Sequence, residues 1–209
     1  MVHRRELNGK ELVLGNQGDL WGNAMTWWDH DTGSVWSQPI GEAILGPRKG
    51  ERLELLPSTL TTWDAWLTAH PETVALDAPG GPSSRFDLDQ MAVVVDFGTE
   101  ASAYFIPALR EVGVVNDVVA GIEIAVVIDP EDDERWTVFS RRLDAAVVVD
   151  LEMTPDGLVD IVSGTVFDPF LGVGQSGPLA DQTLDKLPAF TSFPRDYLTF
   201  FPDGRTWPT

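Results

Sequence analysis

Asp29, His30 and Asp31 form the densest group of side chains that could do chemistry, at the end of the segment WWDHD. On a strand, alternate side chains share a face, so Asp29 and Asp31 would lie together with His30 opposite. Two carboxylates on one face could bind a divalent cation or act as an acid–base pair. These residues would then serve a metal-assisted hydrolase. The structural alternative is a strand that runs into a turn, with Asp31 capping the turn.

His70 and Asp117 would complete a catalytic set with Asp29. His70 follows a helix-like segment, and Asp117 follows the strand-like segment VGVV. A pocket that brings Asp29, His70 and Asp117 together would favour the hydrolase. Otherwise, His70 would interact with the carbonyl end of its helix, and Asp117 would form a side-chain-to-backbone turn.

Trp28, Trp36 and Gln38 suggest a binding surface instead. Trp36 and Gln38 are two residues apart on a predicted strand and therefore point the same way. An aromatic face beside an amide can hold a sugar or another flat ligand. In the alternative interpretation, Trp36 is a core residue and Gln38 bonds to a neighbouring loop. We favour a non-catalytic binding or interaction module over the enzyme, and the sequence does not specify whether the partner is a small molecule or a protein.

The segment GVGQSG (Gly172–Gly177) has the glycine spacing of a dinucleotide-binding fingerprint. That fingerprint requires a following helix, whereas Pro178 and a strand-like segment follow here. We therefore expect no NAD site. Because the chain contains no cysteine, thiolate-bound metals and disulfides are excluded, and a carboxylate-bound divalent cation stays compatible with the sequence.

The formal net charge of −19 restricts the class of partner. Such a field repels phosphate backbones, so we expect no nucleic-acid partner. No apolar run is long enough to span a bilayer, and the N-terminal segment lacks the pattern of a signal peptide. The sequence thus predicts a soluble protein without membrane insertion.

The elements that carry most of these residues occur twice. Residues 33–76 and 164–207 align without gaps at a constant offset of 131, as in Gly33 and Gly164. Each copy predicts a strand, a turn, a second strand and one short helix, in TTWDAWLTAHP and SFPRDYLTFFP. The residues that are identical in both copies are mostly turn-forming: Gly33/Gly164, Gly41/Gly172, Gly46/Gly177, Pro47/Pro178, Pro57/Pro188 and Pro71/Pro202.

Strand-like segments dominate the rest of the chain, including MAVVVDF, ASAYF, IEIAVVID, WTVFSRRL and AAVVVDLEM, with one short helix at IPALREV. The sequence therefore predicts a mainly β (α+β) fold, a tandem internal repeat of β-rich modules with one short helix each. Residues 1–76 would form the C-terminal part of repeat one, 77–85 a linker and 86–209 a complete repeat two. Exposed strand edges would then permit self-association.

Motifs in a fixed order resemble a bacterial and archaeal family, domain of unknown function 3179: SVWSQ, GEAILGP, LP, TTWDAW and HP, with a second half like AYFIPALREVGVVND. The resemblance implies a shape and no known activity. His30 stands where the family usually has Arg, and the family's Cys-x-x-Cys segment is absent, as in a chain truncated at the start of its first repeat. Longer relatives imply an extracytoplasmic setting. The matching positions are Asp29, Thr32, Ser34, Trp36, Ser37, Gln38, Gly41, Ala43, Ile44, Gly46, Pro47, Trp63, Trp66, His70, Pro71, Asn116 and Asp117.

Overall fold

The fold was examined in a computed structural model, which describes residues 1–75, 87–129 and 135–209. Among the described residues, strands and single bridges account for 42% and helices for 12%, so the fold is mainly β with few short helices, as predicted. The predicted linker at residues 77–85 lies outside the described ranges. The division of the chain at that linker stays a prediction.

The strands are short. In chain order they are β1 (Glu6–Leu7), β2 (Lys10–Glu11), β3 (Leu14–Trp21), β4 (Ala24–Asp29), β5 (Val35–Ser37), β6 (Ala43–Leu45), β7 (Ala92–Asp96), β8 (Ala101–Phe105), β9 (Val114–Val119), β10 (Ile122–Ile128), β11 (Trp136–Ser140), β12 (Leu151–Thr154), β13 (Gly157–Asp160), β14 (Val166–Phe167), β15 (Gly174–Ser176), β16 (Phe190–Ser192) and β17 (Arg205–Trp207).

The helices are α1 (Trp63–Ala69), α2 (Ile106–Val112) and α3 (Pro194–Phe200), with a 3₁₀ turn at Leu88–Gln90. All three predicted helices are confirmed. The side chain of Thr62 caps α1 by accepting the N–H of Ala65, and Pro194 occupies the first turn of α3, where a missing N–H costs little. None of the helices in the described ranges has the length and hydrophobicity that a membrane crossing requires.

The chain folds into two compact units, and each unit is assembled from segments that are far apart in sequence. Unit 1 comprises Met1–Ser58, Ala92–Phe105 and Leu187–Thr209. Unit 2 comprises Thr59–Met91 and Ile106–Lys186. The units are therefore interleaved along the chain.

Unit 1 contains two four-stranded sheets. The first has the order β3-β4-β5-β6 and is antiparallel throughout, and the buried residues Leu12, Trp36, Ala43 and Leu53 pack together in this unit. The second has the order β16-β7-β8-β17, in which β17 runs parallel to β8. Phe190 of β16 and Tyr197 of α3 are buried in one cluster with apolar residues of β7 and β8.

Unit 2 contains a three-stranded sheet, β11-β10-β9, and a four-stranded sheet, β12-β13-β14-β15. The pairing within both sheets is antiparallel. Its core is formed by Ala125, Val127, Phe139, Val149, Leu151, Leu158, Phe167 and Leu184.

Two strand predictions need correction. The segment RLELLP forms only isolated bridges, at Arg52 and Leu55, rather than a strand. The segment AAVVVDLEM becomes a regular strand only from Leu151 onward. In both places the backbone hydrogen bonds go to turns and single bridges, so β-propensity alone overestimates the length of the strand.

Candidate functional site

The turn that follows β4 is organised by the carboxylate of Asp29, which is 0% exposed. Its Oδ1 accepts the backbone N–H of Thr32 at 2.7 Å and the hydroxyl of Thr32 at 2.9 Å. The hydroxyls of Thr32 and Ser34 lie 2.7 Å apart, and Ser34 Oγ accepts the N–H of Arg48 at 3.1 Å. Gly33 has a φ of 68°, which suits glycine. We call residues 29–34 the Asp29 turn.

Trp36 and Arg48 supply the other partners of Asp29. The indole N–H of Trp36 donates to Oδ2 at 3.0 Å, and Arg48 Nε lies 4.0 Å from the same oxygen. Burial by itself raises the pKa of Asp29, but the hydrogen bonds from Trp36 and Thr32 together lower that pKa by more than burial raises it. The pKa therefore lies below the usual value of an aspartate, and Asp29 is an ionised, fully engaged group.

This engagement makes one pH-dependent effect testable at Trp36. The folded-state pKa of Asp29 is depressed, so its contribution to stability is present above the unfolded-state pKa and is lost as the pH falls through the folded-state value. Trp36→Phe removes the indole donor. We expect the loss of unfolding free energy in this variant to be largest at neutral pH and to shrink in acid. Urea unfolding of both chains between neutral pH and about pH 3, below the usual aspartate pKa, measures this.

A second turn has the same construction in unit 2. Asp160 is 2% exposed, and its Oδ2 accepts the N–H of Ser163 at 2.9 Å. The hydroxyls of Ser163 and Thr165 lie 2.8 Å apart, and Thr165 Oγ1 accepts the N–H of Leu179 at 3.0 Å. We call residues 160–165 the Asp160 turn. Each of these positions lies 131 residues after its counterpart in the Asp29 turn.

The two turns differ in the partners of the carboxylate. Phe167 and Leu179 stand where the first turn has Trp36 and Arg48, so the indole donor and the nearby guanidinium are both absent. Asp160 instead accepts the backbone N–H of Asp150 at 2.9 Å. Burial by itself raises the pKa of Asp160, but hydrogen bonds from Ser163 and the backbone together lower that pKa by more. The pKa of Asp160 therefore also lies below the usual aspartate value. The sequence alignment began at Gly33 and so missed Asp160.

Asp29, His30 and Asp31 do not converge in the structure. Asp29 is buried, whereas His30 and Asp31 are exposed. The ring of His30 stacks on Trp28 with centroids 4.2 Å apart, and Asp31 forms an ion pair with Lys10 at 2.9 Å. In the part of the chain that the structure describes, no three His, Cys, Asp or Glu side chains come together as a metal site requires.

Trp36 is a core residue, which corrects its expected place on a ligand surface. It is 0% exposed, and its indole nitrogen is committed to Asp29. Gln38 is half-buried, and its backbone carbonyl oxygen accepts the Nε2–H of His3 at 2.8 Å. Burial lowers the pKa of His3, and this outweighs the opposite effect of the Gln38 carbonyl, so the imidazole is a neutral donor at pH 7. β5 ends at Ser37 and Gln38 lies in the turn that follows, so strand alternation does not place Gln38 beside Trp28.

Trp28 lies in a row that crosses the whole sheet β3-β4-β5-β6. Gly15 pairs with Trp28, Trp28 with Val35, and Val35 with Leu45. Trp28 and Val35 are half-buried and Leu45 is 59% exposed. A Cβ at Gly15 would lie 2.7 Å from Trp28 Nε1, so the glycine makes room for the indole. We call Gly15, Trp28, Val35 and Leu45 the outer row.

His70 and Asp117 lie in unit 2, whereas Asp29 lies in unit 1. His70 is exposed at the end of α1, and its ring lies 4.1 Å from that of Trp66. Its backbone N–H donates to Trp66 O at 2.8 Å, closing the helix. Asp117 is half-buried in the middle of β9, and its Oδ1 accepts the N–H of Val118 at 2.7 Å. Both residues therefore have local structural roles in their elements.

Unit 2 also contains a cleft of about 480 Å³ that the sequence did not indicate. The guanidinium carbon of Arg135 and the Nζ of Lys186 each lie 4.5 Å from the ring centroid of Phe170. Arg135 also forms an ion pair with the buried Asp129. Burial lowers the pKa of Lys186, although Asp168 opposes this. A concave site with these polar and aromatic groups suits a small polar molecule.

The segment GVGQSG, residues 172–177, has the glycine spacing of a dinucleotide fingerprint but contains a strand. Gly174–Ser176 is β15, and it pairs with β14. A turn follows it, and Ala180 donates its N–H to Gly177 O at 3.1 Å. The glycines therefore shape a strand and its turns, and this geometry differs from the strand–helix junction that the fingerprint requires.

The Asp29 turn, Trp36 and the glycines that flank β5 and β6 (Gly33, Gly41 and Gly46) are among the features on which the family resemblance depends. Residues 1–92 match the DUF3179 family, described as proteins of unknown function. The DUF3179 match thus contains the Asp29 turn, the outer row and α1. Asn116 and Asp117, which also resemble the DUF3179 pattern, lie beyond the matched residues. No curated protein and no solved structure matches the chain.

Proposed function

We propose that this protein is a non-catalytic binding module whose ligand lies across the outer row. Among the residues predicted from the sequence to bind a ligand, Trp28 is the aromatic side chain on this face, while Trp36 is committed to the core. Asp29, the carboxylate that a catalytic site would need, instead accepts the hydrogen bonds that form a turn. A binding role therefore fits the available side chains better than a catalytic role.

A comparison of two equivalent rows carries this proposal. In unit 2 the row that corresponds to the outer row pairs Glu152 with Val159, Val159 with Val166, and Val166 with Ser176. The valine at the third position is the same in both rows. The outer row differs by an indole in place of Val159, by a glycine that makes room for it, and by an exposed leucine in place of Ser176. A scaffold alone does not require these three differences.

The ligand that fits the outer row is flat and uncharged, such as a sugar ring. The row presents an indole and two aliphatic side chains across four adjacent strands, which gives contact area without a charged group. The net charge of −19 disfavours anionic polymers, whereas a neutral ligand is not repelled. The ring of His30 stacks on Trp28, with centroids 4.2 Å and planes 9° apart, so it covers one face of the indole and would form part of the contact surface in this proposal.

The same comparison supports the proposed internal repeat. The N–H of Gly33 donates to Asp29 O at 2.9 Å, and that of Gly164 donates to Asp160 O at 2.8 Å. The helices α1 and α3, at residues 63–69 and 194–200, are also offset by 131. Repeat one, in this proposal, has specialised its outer row for binding, and repeat two retains the plain scaffold.

The binding proposal is tested by Trp28→Val, which installs the residue found at position 159. Neutral hexasaccharides of glucose and of N-acetylglucosamine serve as probes in isothermal titration calorimetry. We expect binding of one of them by the native chain, and a loss of at least about tenfold in the variant, since a central aromatic contact is typically worth about 2 kcal/mol or more.

Trp63→Val is the matched control, because Trp63 is an indole of comparable exposure, 49%, that lies on α1 and outside the outer row. It should bind the probes like the native chain. The proposal is wrong if neither hexasaccharide binds, or if Trp28→Val and Trp63→Val weaken binding equally.

A further inference from the structure

We propose that the C-terminal segment, residues 187–209, is an exchangeable docking element that can complete unit 1 of a second copy of this chain. We call this segment the second tail, because residues 59–75 form a corresponding first tail, described below. In the structure it completes unit 1 of its own chain, although the residues that precede it belong to unit 2. The partner that fits the receiving surface is therefore another molecule of the same protein.

The receiving surface is the pair of strands β7 and β8, at residues 92–96 and 101–105. The second tail supplies both edge strands of their sheet, since β16 pairs with β7 and β17 pairs with β8. Without the tail, β7 and β8 would form a two-stranded hairpin with two open edges, which is marginally stable and prone to pairing.

Tyr197 anchors the second tail in the core of unit 1. It is 1% exposed, and its hydroxyl lies 3.0 Å from Ala101 O and 2.8 Å from Arg205 O. Arg205 Nε also donates to Glu100 Oε1 at 2.6 Å. The contact of Tyr197 with Arg205 lies within the tail, whereas the contacts with Ala101 and Glu100 join the tail to the β7–β8 segment. Those two contacts do not depend on both partners belonging to one molecule.

The residues that end repeat one make an instructive contrast. Residues 59–75, the first tail, belong to unit 2, so each repeat of the proposed pair ends in the unit built around the other. The first tail makes fewer buried contacts with its unit than the second tail does. Leu60 forms a single bridge to Trp136, and in α1 the side chains of Trp63 and Trp66 are 49% and 40% exposed. The second tail is therefore the better docking element.

Exchange between two chains would give a closed, two-fold symmetric dimer, because each chain donates its second tail to the other chain and receives the tail of that chain. The contacts in unit 1 would be the same in the monomer and in the dimer. The balance then depends on concentration, because the covalently attached tail has an effective concentration of the order of mM. Chains unfolded and refolded together at such concentrations should trap the exchanged dimer.

The absence of cysteine from the chain makes the exchange directly testable. Val93 and Thr191 are register partners in the β7–β16 pair, at a separation that suits a disulfide. The single variants Val93→Cys and Thr191→Cys are mixed, unfolded, refolded together at about 1 mM and oxidised. We expect a covalent heterodimer, identified by mass spectrometry without reductant.

Thr199→Cys mixed with Val93→Cys is the matched control, since Thr199 is exposed on α3 of the same tail and has no register contact with Val93. This pair should give no heterodimer above background. Light scattering of the native chain after the same refolding gives a readout without substitutions, and a dimer peak is expected. A heterodimer yield no higher than that of the control, or a native chain that refolds only to monomer, would overturn the proposal.

Discussion

Asp29→Ala is expected to lower the free energy of unfolding by about 3–5 kcal/mol, the typical cost of removing one member of a buried charged network. The substitution leaves the donors of Thr32 and Trp36 without their acceptor, and it leaves Arg48 without the nearby carboxylate. Because this turn connects β4 to β5, we expect the loss to appear in the unfolding of unit 1. Urea unfolding, followed by tryptophan fluorescence and circular dichroism, measures it.

Asp31→Ala is the control, since this neighbouring carboxylate is exposed and forms a surface ion pair with Lys10. Its loss should cost at most about 1 kcal/mol. Asp160→Ala should resemble Asp29→Ala, because that carboxylate is equally buried in its own turn. If Asp29→Ala and Asp31→Ala destabilise the protein equally, the carboxylate of Asp29 does not organise the turn.

Tyr197→Ala is expected to cost about 4 kcal/mol, as large-to-small substitutions in a core do. Tyr197 is 1% exposed and packs with Phe190 against the sheet that contains β7 and β8. The variant should also release residues 187–209 from unit 1, so limited proteolysis should cleave this segment before the rest of the chain. Urea unfolding and the order of proteolytic fragments are the two measurements.

Leu198→Ala is the matched control on the same helix, because Leu198 is 48% exposed and its loss should cost little. Tyr197→Phe isolates the hydroxyl and should cost about 1–3 kcal/mol, since the carbonyls of Ala101 and Arg205 lose the one donor that they share. Burial raises the pKa of Tyr197 to about 12, so its contribution is complete below the unfolded-state value of about 10 and is lost as the pH rises through the folded-state value. Equal losses for Tyr197→Ala and Leu198→Ala would contradict the anchoring role.

Local patterns in the sequence were sufficient for the helices and for most strands. Pro71 follows α1 and Pro194 opens α3, and such residues act within one turn of the backbone, which a sequence displays directly. The interleaving of the units was not predictable in the same way. The pairing of β16 with β7 joins residues almost a hundred positions apart, and no local propensity encodes which edge receives a strand.

At the candidate site, the alternation of side chains along a strand does not predict which side chains lie together. Asp29 and Asp31 were expected on one face, but β4 ends at Asp29 and the chain turns there, so the two carboxylates separate. Trp27 and Trp28 put an indole on each face of β4, and the alternation cannot tell which face is covered. Burial of Trp36 and the partial exposure of Trp28 depend on elements packed from elsewhere in unit 1.

The interleaved construction also constrains how such a protein can be inherited. Residues 1–92, which match DUF3179, include the sheet that carries the outer row, but they stop at the first residue of β7 and exclude β8 and the second tail. Recombination that transferred this segment alone would leave its unit without a second sheet. We therefore expect the segments that build the two units to be gained, lost and moved between genomes together, as one piece.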